Sequence, residues 1–234
     1  MRAWLDLFYP RVCAACGGPV GDEPGHLCWD CLAGITYVKS PYCSLCGDPV
    51  EGRIDHEFVC YNCTSTPPHF DRARSAARYA GPLQNVLREF KYRQSLWAGR
   101  DLVRLLTACT EAHYDPAQVD AVCFVPLYPA RQRDREYNQA ERLARGLARR
   151  LGKPLLGRCL ARVRPTPTQT HLTARARATN VAGAFRARWT RRLKGRRVLL
   201  VDDVMTTGAT VSECARVLKE AGAAAVYVVT VARG

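Results

Sequence analysis

Eight of the twelve cysteines lie before Thr64, arranged as four C-x2-C pairs. The strings CAACGGPV, beginning at Cys13, and CSLCGDPV, beginning at Cys43, repeat thirty residues apart, and each is followed by a further pair, CWDC from Cys28 and CYNC from Cys60. This is an internal duplication. Two thiolates spaced in this way reach one tetrahedral Zn²⁺ from a tight turn, and two such pairs close a site. Gly17 and Gly47 permit the backbone geometry that points amides back at the sulfurs. Loops of eleven and thirteen residues between pairs leave room for a hairpin to return. The repeat favours use in order, Cys13, Cys16, Cys28 and Cys31, then Cys43, Cys46, Cys60 and Cys63. Interleaved pairing and a single filled site stay open.

A segment this short buries too little apolar surface to fold alone, whereas structural zinc contributes about 10–16 kcal/mol in finger peptides. The metal is therefore expected to be structural. The other four cysteines, Cys109, Cys123, Cys159 and Cys214, are scattered through apolar or helical stretches, as small hydrophobes are.

The 234 residues, 47% of them hydrophobic, suffice for one ordinary core and an appendage. No apolar run approaches the ~20 residues of a membrane span, and residues 1–11 lack a long apolar stretch before a small-residue cleavage site. The expectation is a cytoplasmic protein with no membrane insertion, in a compartment that favours metal binding over disulfides. The net charge is +14, yet residues 1–68 hold four basic residues against eight acidic ones, so the remainder is strongly cationic. An anionic ligand is expected there, and the acidic ribbon suits docking better than binding to a phosphate backbone. The plainer account of the arginines, concentrated in 131–150 and 186–197, is a solvated basic face.

Beyond Pro68 strands and helices alternate. Residues 74–79, 121–125, 155–163, 198–201 and 224–231 read as strands, with another near Phe185. Helices are expected over 83–90, 96–109, 138–151 and 210–221, with one ending at Val181. This order predicts an α/β fold with an open parallel sheet, divided as a double zinc ribbon over 1–68 and a second domain over 69–234.

The stretch VLLVDDVMTTGAT, from Val198 to Thr210, carries the chemistry. Four apolar residues suit a strand covered on both faces, Asp202 and Asp203 are expected at its end, and Val204 leads to Thr206, Thr207, Gly208, Ala209 and Thr210 at a helix start. Backbone amides and hydroxyls there can cradle a phosphate, while the carboxylates accept hydrogen bonds from ribose hydroxyls. No G-x4-G-K-[ST] loop accompanies the acids, which disfavours an NTPase, and too little chain follows them for a receiver domain.

This stretch resembles the phosphoribosyl-pyrophosphate motif of type I phosphoribosyltransferases. With the duplicated ribbon and the segments FDRARSAARYAGPL, VPLYPARQRDREYNQA and PTQTHLTARARATNVAGAF, the chain is identified as similar to the ComF competence-protein family over nearly its whole length. The resemblance implies a type I phosphoribosyltransferase-like domain binding 5-phosphoribosyl-1-pyrophosphate (PRPP) with Mg²⁺. It makes residues 125–128, including Leu127 and Tyr128, a pyrophosphate loop, and 164–173 a flexible loop, with Gln169 and Arg175 as polar contributors. Asp202 and Asp203 take the catalytic position. Arg131 and Arg133 are candidates to stabilise the departing pyrophosphate. The chain departs from the family pattern at Tyr128, where histidine is common, and within Arg135, Glu136, Tyr137, Asn138 and Gln139, where Arg-Gly-Phe-Asn-Gln is common, at Glu136 and Tyr137. The implied activity is transfer of phosphoribose to a nucleophile, a glycosyltransferase reaction, linked to DNA uptake. The alternative is a non-catalytic factor that handles single-stranded DNA alongside other competence proteins and retains the ligand site.

Overall fold

The computed structural model describes residues 11–21, 25–92, 96–165 and 179–234. Its centre is a four-stranded sheet of β1 (Arg72–Arg78), β2 (Ala121–Phe124), β5 (Arg197–Met205) and β6 (Ala225–Arg233), ordered β1-β6-β5-β2 and parallel throughout. Residues 198–201 are fully buried, which explains their unbroken apolar run: Leu199 and Val201 enter one core, Val198 and Leu200 the opposite one.

Among the described residues, four longer helices cover the sheet. On one face, α3 (Gly81–Tyr92) buries Leu83, Val86, Leu87 and Phe90, the stripe its sequence spacing predicts. It is joined there by α4 (Gly99–His113) and α6 (Gln139–Leu151), which pack on each other and on the strands. α7 (Ala209–Glu220) covers the other face, beside a two-stranded antiparallel hairpin of β3 (Leu160–Arg162) and β4 (Phe185–Ala187). A shorter helix, α5 (Pro129–Arg135), follows β2.

The reading of 155–163 as one strand is corrected here. Leu155 makes only a single parallel bridge to Val122, at the sheet's β2 edge, and the chain then turns away to pair antiparallel with β4. Apolar periodicity reveals a pleated segment but not the direction of its partner. The helix expected to end at Val181 is described only over its last residues, 179–181.

The two cysteine-rich repeats lie on opposite faces. Cys13, Val20, Leu27, Cys31 and Ile35 belong to the core of α3, α4 and α6, where the short α1 (Trp29–Ala33) packs on α3. Cys43, Cys46 and Cys63, the last in the short α2 (Tyr61–Ser65), belong to the core of α7. The chain between them runs antiparallel along the outer edge of β1: the Val38 amide donates to Ala76 O (3.1 Å) and the Arg78 amide to Thr36 O (2.8 Å). Among the described residues no helix is long and apolar enough to cross a membrane.

Candidate functional site: two acids at a helix start, and two four-cysteine clusters

The eight paired cysteines gather as two clusters used in sequence order, each with its four sulfurs within 4.8 Å of one another. Cys16 and Cys28 Sγ lie 3.8 Å apart, Cys46 and Cys60 Sγ 3.7 Å. A tetrahedral ion with Zn–S bonds of about 2.3 Å needs sulfurs about 3.8 Å apart, so both donor sets fit zinc. The repeats share their amide pattern too. Cys13 Sγ accepts from the Ala15 and Cys28 amides (3.4 and 3.3 Å), Cys43 Sγ from the Cys46 and Cys60 amides (3.5 and 3.4 Å). Burial acts to raise the pKa of these two thiols, but the amide bonds prevail and lower each to about 7. Cys31, Cys46 and Cys63 are pushed upward by burial and by neighbouring sulfurs, Cys46 to about 12. A cluster of mixed thiolates and thiols releases protons when it takes a cation.

Asp202 and Asp203 do not sit at the end of β5. The strand runs on to Met205, because β6 is long enough to pair with it through Met205↔Arg233. β2 stops at Phe124, opposite Val201, and that missing neighbour opens the hollow beside the acids. This cavity of about 220 Å³ is lined by both acids, Lys91, Leu127, Arg131, Arg135, Asn138, Arg162 and Thr210.

Lys91, in the last turn of α3, places Nζ 2.8 Å from Asp203 Oδ2. Its position is set from behind: the Tyr137 hydroxyl donates to Phe90 O, and Gln139 Nε2 to Lys91 O (3.3 Å). Asn138 joins this anchor. Its Oδ1 accepts the Ala140 and Glu141 amides that open α6, while Nδ2 donates to Val125 O (3.0 Å), holding the chain after β2. Asp202 opens partly to the hollow, yet enclosure by protein, followed by the adjacent Asp203, raises its pKa to about 8 against the pull of Lys91 and Arg162. Burial also lowers the pKa of Arg162, as does nearby Arg131.

The helix start expected after the acids is present. Gly208, at φ +79°, turns the chain into α7 and offers no side chain as a cap, while Thr207 Oγ1 accepts from the Ala209 amide at 3.5 Å. Thr210 alone of the turn lines the hollow with the acids. Thr206, Thr207, Gly208 and Ala209 line a second, larger hollow of about 940 Å³ that opens towards the second cysteine cluster. The turn is thus a wall between two spaces rather than the floor of one.

Of the other expected residues, Leu127 and Arg131 reach the smaller hollow. Arg133 is exposed and Tyr128 caps α5, and neither lines it. Val204 continues β5 beside the acids, its amide donating to Asp203 Oδ1 (2.7 Å). Gln169 and Arg175 lie outside the described residues. Sequence reasoning missed Lys91, Arg135 and Arg162; a lysine after the buried Phe90 ordinarily lays its stem on the core and keeps its ammonium in water, so nothing in the residues signalled that it turns to the acids.

A parallel sheet with two adjacent acids before a helix start, carrying two four-cysteine clusters, defines a phosphoribosyltransferase-type α/β protein with a double zinc ribbon. Comparison with known families agrees: residues 4–64 match the double zinc ribbon domain and residues 138–234 the phosphoribosyl transferase domain. Over 97% of its length the chain is 34% identical to competence protein F of Haemophilus influenzae, of which it covers 98%. It is 32% identical to the DNA utilization protein YhgH of Escherichia coli (strain K12), covering 95% of this chain and 96% of that protein. The chain belongs to the competence protein F family. A glutamine phosphoribosylpyrophosphate amidotransferase structure from B. subtilis overlaps 56% of this chain and 25% of that one at 24% identity, with a TM-score of 0.39.

Proposed function

We propose that the smaller hollow, together with the turn that walls it from the larger one, binds 5-phosphoribosyl-1-pyrophosphate with Mg²⁺ and that the protein transfers the phosphoribosyl group to a nucleophile. The observation that carries this reading is the placement of two adjacent carboxylates among four cations, Lys91, Arg131, Arg135 and Arg162, beside the start of α7. Carboxylates alone would suit a sugar or a cation; cations alone would suit any anion. Together they suit a polyol that carries phosphates at both ends.

In this reading Asp202 and Asp203 accept hydrogen bonds from the ribose hydroxyls, and amides at the start of α7 hold the 5-phosphate. The bond from the anomeric carbon to the pyrophosphate oxygen breaks, its electron pair leaving with pyrophosphate, and the nucleophile adds to that carbon and gives up a proton. Bound to the pyrophosphate, Mg²⁺ supplies countercharge as negative charge grows there. Lys91 and Arg131 supply the same service from the protein.

Calorimetry on the zinc-loaded chain tests the proposal: Mg²⁺ with PRPP binds the natural protein, and Asp202→Asn weakens binding at least tenfold. Absence of binding to the folded, metallated protein overturns it. Release of pyrophosphate on adding nitrogen nucleophiles, lost in the same variant, tests the transfer step.

A second reading, single-stranded DNA handling without turnover, is favoured by a separate observation. Trp189 is 55% exposed, in a left-handed backbone conformation, with the Arg192 guanidinium 4.9 Å above its ring and exposed Arg186, Arg188 and Arg191 close in sequence. An aromatic face among cations can stack a base while the cations hold phosphates. Under this reading, DNA affinity falls steeply with salt, Trp189→Ala weakens it, and no pyrophosphate is released.

A further inference from the structure

Arg233, the last residue of β6, is 6% exposed and joins three parts of the molecule. Its Nε donates to Asp48 Oδ1 at 3.0 Å, in the turn of the second repeat, and Nη2 lies 4.0 Å from Cys46 Sγ, a member of the second cluster. Its Nη1 donates to Thr206 O, and also reaches Met205 O at 3.4 Å. The pairing Met205↔Arg233 and the Gly234 amide on Met205 O (3.0 Å) fix the same point from the backbone. One buried cation thus spans the second cluster and the first residue of the turn before α7.

We infer that Arg233 is a positioning residue through which the second cysteine cluster sets the 206–210 turn, so that metal at that cluster and ligand at the turn are thermodynamically linked. A guanidinium buried this deeply needs acceptors on every side, and two of its partners exist in place only while the cluster is closed. Metal there holds Cys46 in place, and with it Asp48 on the other side of the turn that follows. If the cluster opens, Arg233 keeps only the carbonyls of Met205 and Thr206, and its uncompensated charge pulls on both. The second repeat has no slack to absorb this. Gly47 has φ +68°, and a Cβ there would come within 2.7 Å of Ala73 O in β1.

Among the described residues the first cluster has no such route. It is tied to α4, where Asp101 Oδ2 accepts the His26 amide at 2.7 Å, and to α3, where Asn85 donates to Ala15 O at 3.1 Å. Metal at the first cluster is therefore silent at the turn. Linkage is reciprocal: whatever factor the second metal adds to ligand affinity, the ligand adds to retention of that metal.

Hydrogen exchange on the full-length, zinc-loaded chain reads the link without any ligand. Cys60→Ser, which opens the second cluster, speeds exchange of the amides at 206–210 at least tenfold, whereas Cys16→Ser, which opens the first, leaves them unchanged. Arg233→Gln reproduces the faster exchange while both metals and the protection of β5 are retained, and Arg233→Lys restores part of the protection. Equal protection of the turn in Cys60→Ser and Cys16→Ser, or full protection in Arg233→Gln, overturns the inference.

A second arm rests on the sugar-phosphate reading above: Mg²⁺ with PRPP slows chelator-driven loss of one zinc of the two, and Arg233→Gln abolishes that effect. If the natural protein binds no PRPP, that reading falls while the exchange arm still decides the inference. Binding that protects neither metal, or protects the first, overturns the link and leaves the sugar site standing.

Discussion

The two cysteine repeats share their internal bonding, from paired amides on the first sulfur to inter-sulfur distances of 3.7–3.8 Å, but differ in what surrounds them. Cys16 is exposed where Cys46 is buried. Gly17, at φ +75°, has open space where a Cβ would go, whereas Gly47 meets the backbone of β1. The first repeat rests on helices; the second is wedged between β1 and the turn that begins α7. Duplication supplied the same metal-binding unit twice, and among the described residues only the second copy borders the turn that walls the candidate ligand site.

The largest expected effect tests what the copies have in common. Cys43→Ser and Cys13→Ser each remove a buried thiolate that accepts two amides, and each should lose one zinc of two by native mass spectrometry, a loss on the order of 10 kcal/mol of binding energy. Retention of both metals in either variant breaks the likeness. Gly47→Ala against Gly17→Ala then separates the copies. The second-repeat change should cost about 2–5 kcal/mol in urea denaturation, from left-handed strain plus a backbone clash. Gly17→Ala should cost about 1–2 kcal/mol, from strain alone.

Asp101→Ala removes the acceptor of the His26 amide, leaving a half-buried donor unpaired at a cost of about 1–3 kcal/mol. Chelator should then strip the first metal faster and the second at its former rate; acceleration of both would show that the repeats are not separately anchored.

The smallest expected effect, a midpoint that does not move, concerns pH. Asp202 is raised to about 8 by burial and by Asp203, with no group of either repeat among the causes. Because its folded pKa lies above its unfolded one, the protonated acid contributes stability at low pH that is lost as pH rises through about 8. A ribose hydroxyl needs the ionised form, so PRPP affinity should rise by up to about tenfold per pH unit and level off above about 8. Cys60→Ser should lower this whole curve without moving its midpoint, as followed by calorimetry between pH 6 and 9. A displaced midpoint would tie the second repeat to the acids directly.

Much of this was legible in the residues. Zinc-type clusters announce themselves because ligand spacing is a local constraint, and the buried stripe of α3 and the run 198–201 follow from period and composition. The acids and the helix start after Gly208 were readable for the same reason. What escaped was set by partners distant in sequence. β5 outruns its expected end because β6 pairs with it; 155–163 breaks because β4 takes its second half; Lys91 looks like any lysine closing a helix until Asp203, 112 positions later, comes to face it. Arg233 is the plainest case, a lone arginine near the end of a strand whose partners arrive from Asp48 and Thr206.

The segment joining the repeats occupies the hydrogen-bonding rim of β1, and Leu155 does the same at the far rim of β2. A protein trimmed to begin after Pro68 would present β1 as a bare template to copies of itself. Such a fragment should self-associate in solution whatever the state of its acids, which makes the metal-binding half a guard against strand-to-strand stacking as well as a neighbour of the ligand site.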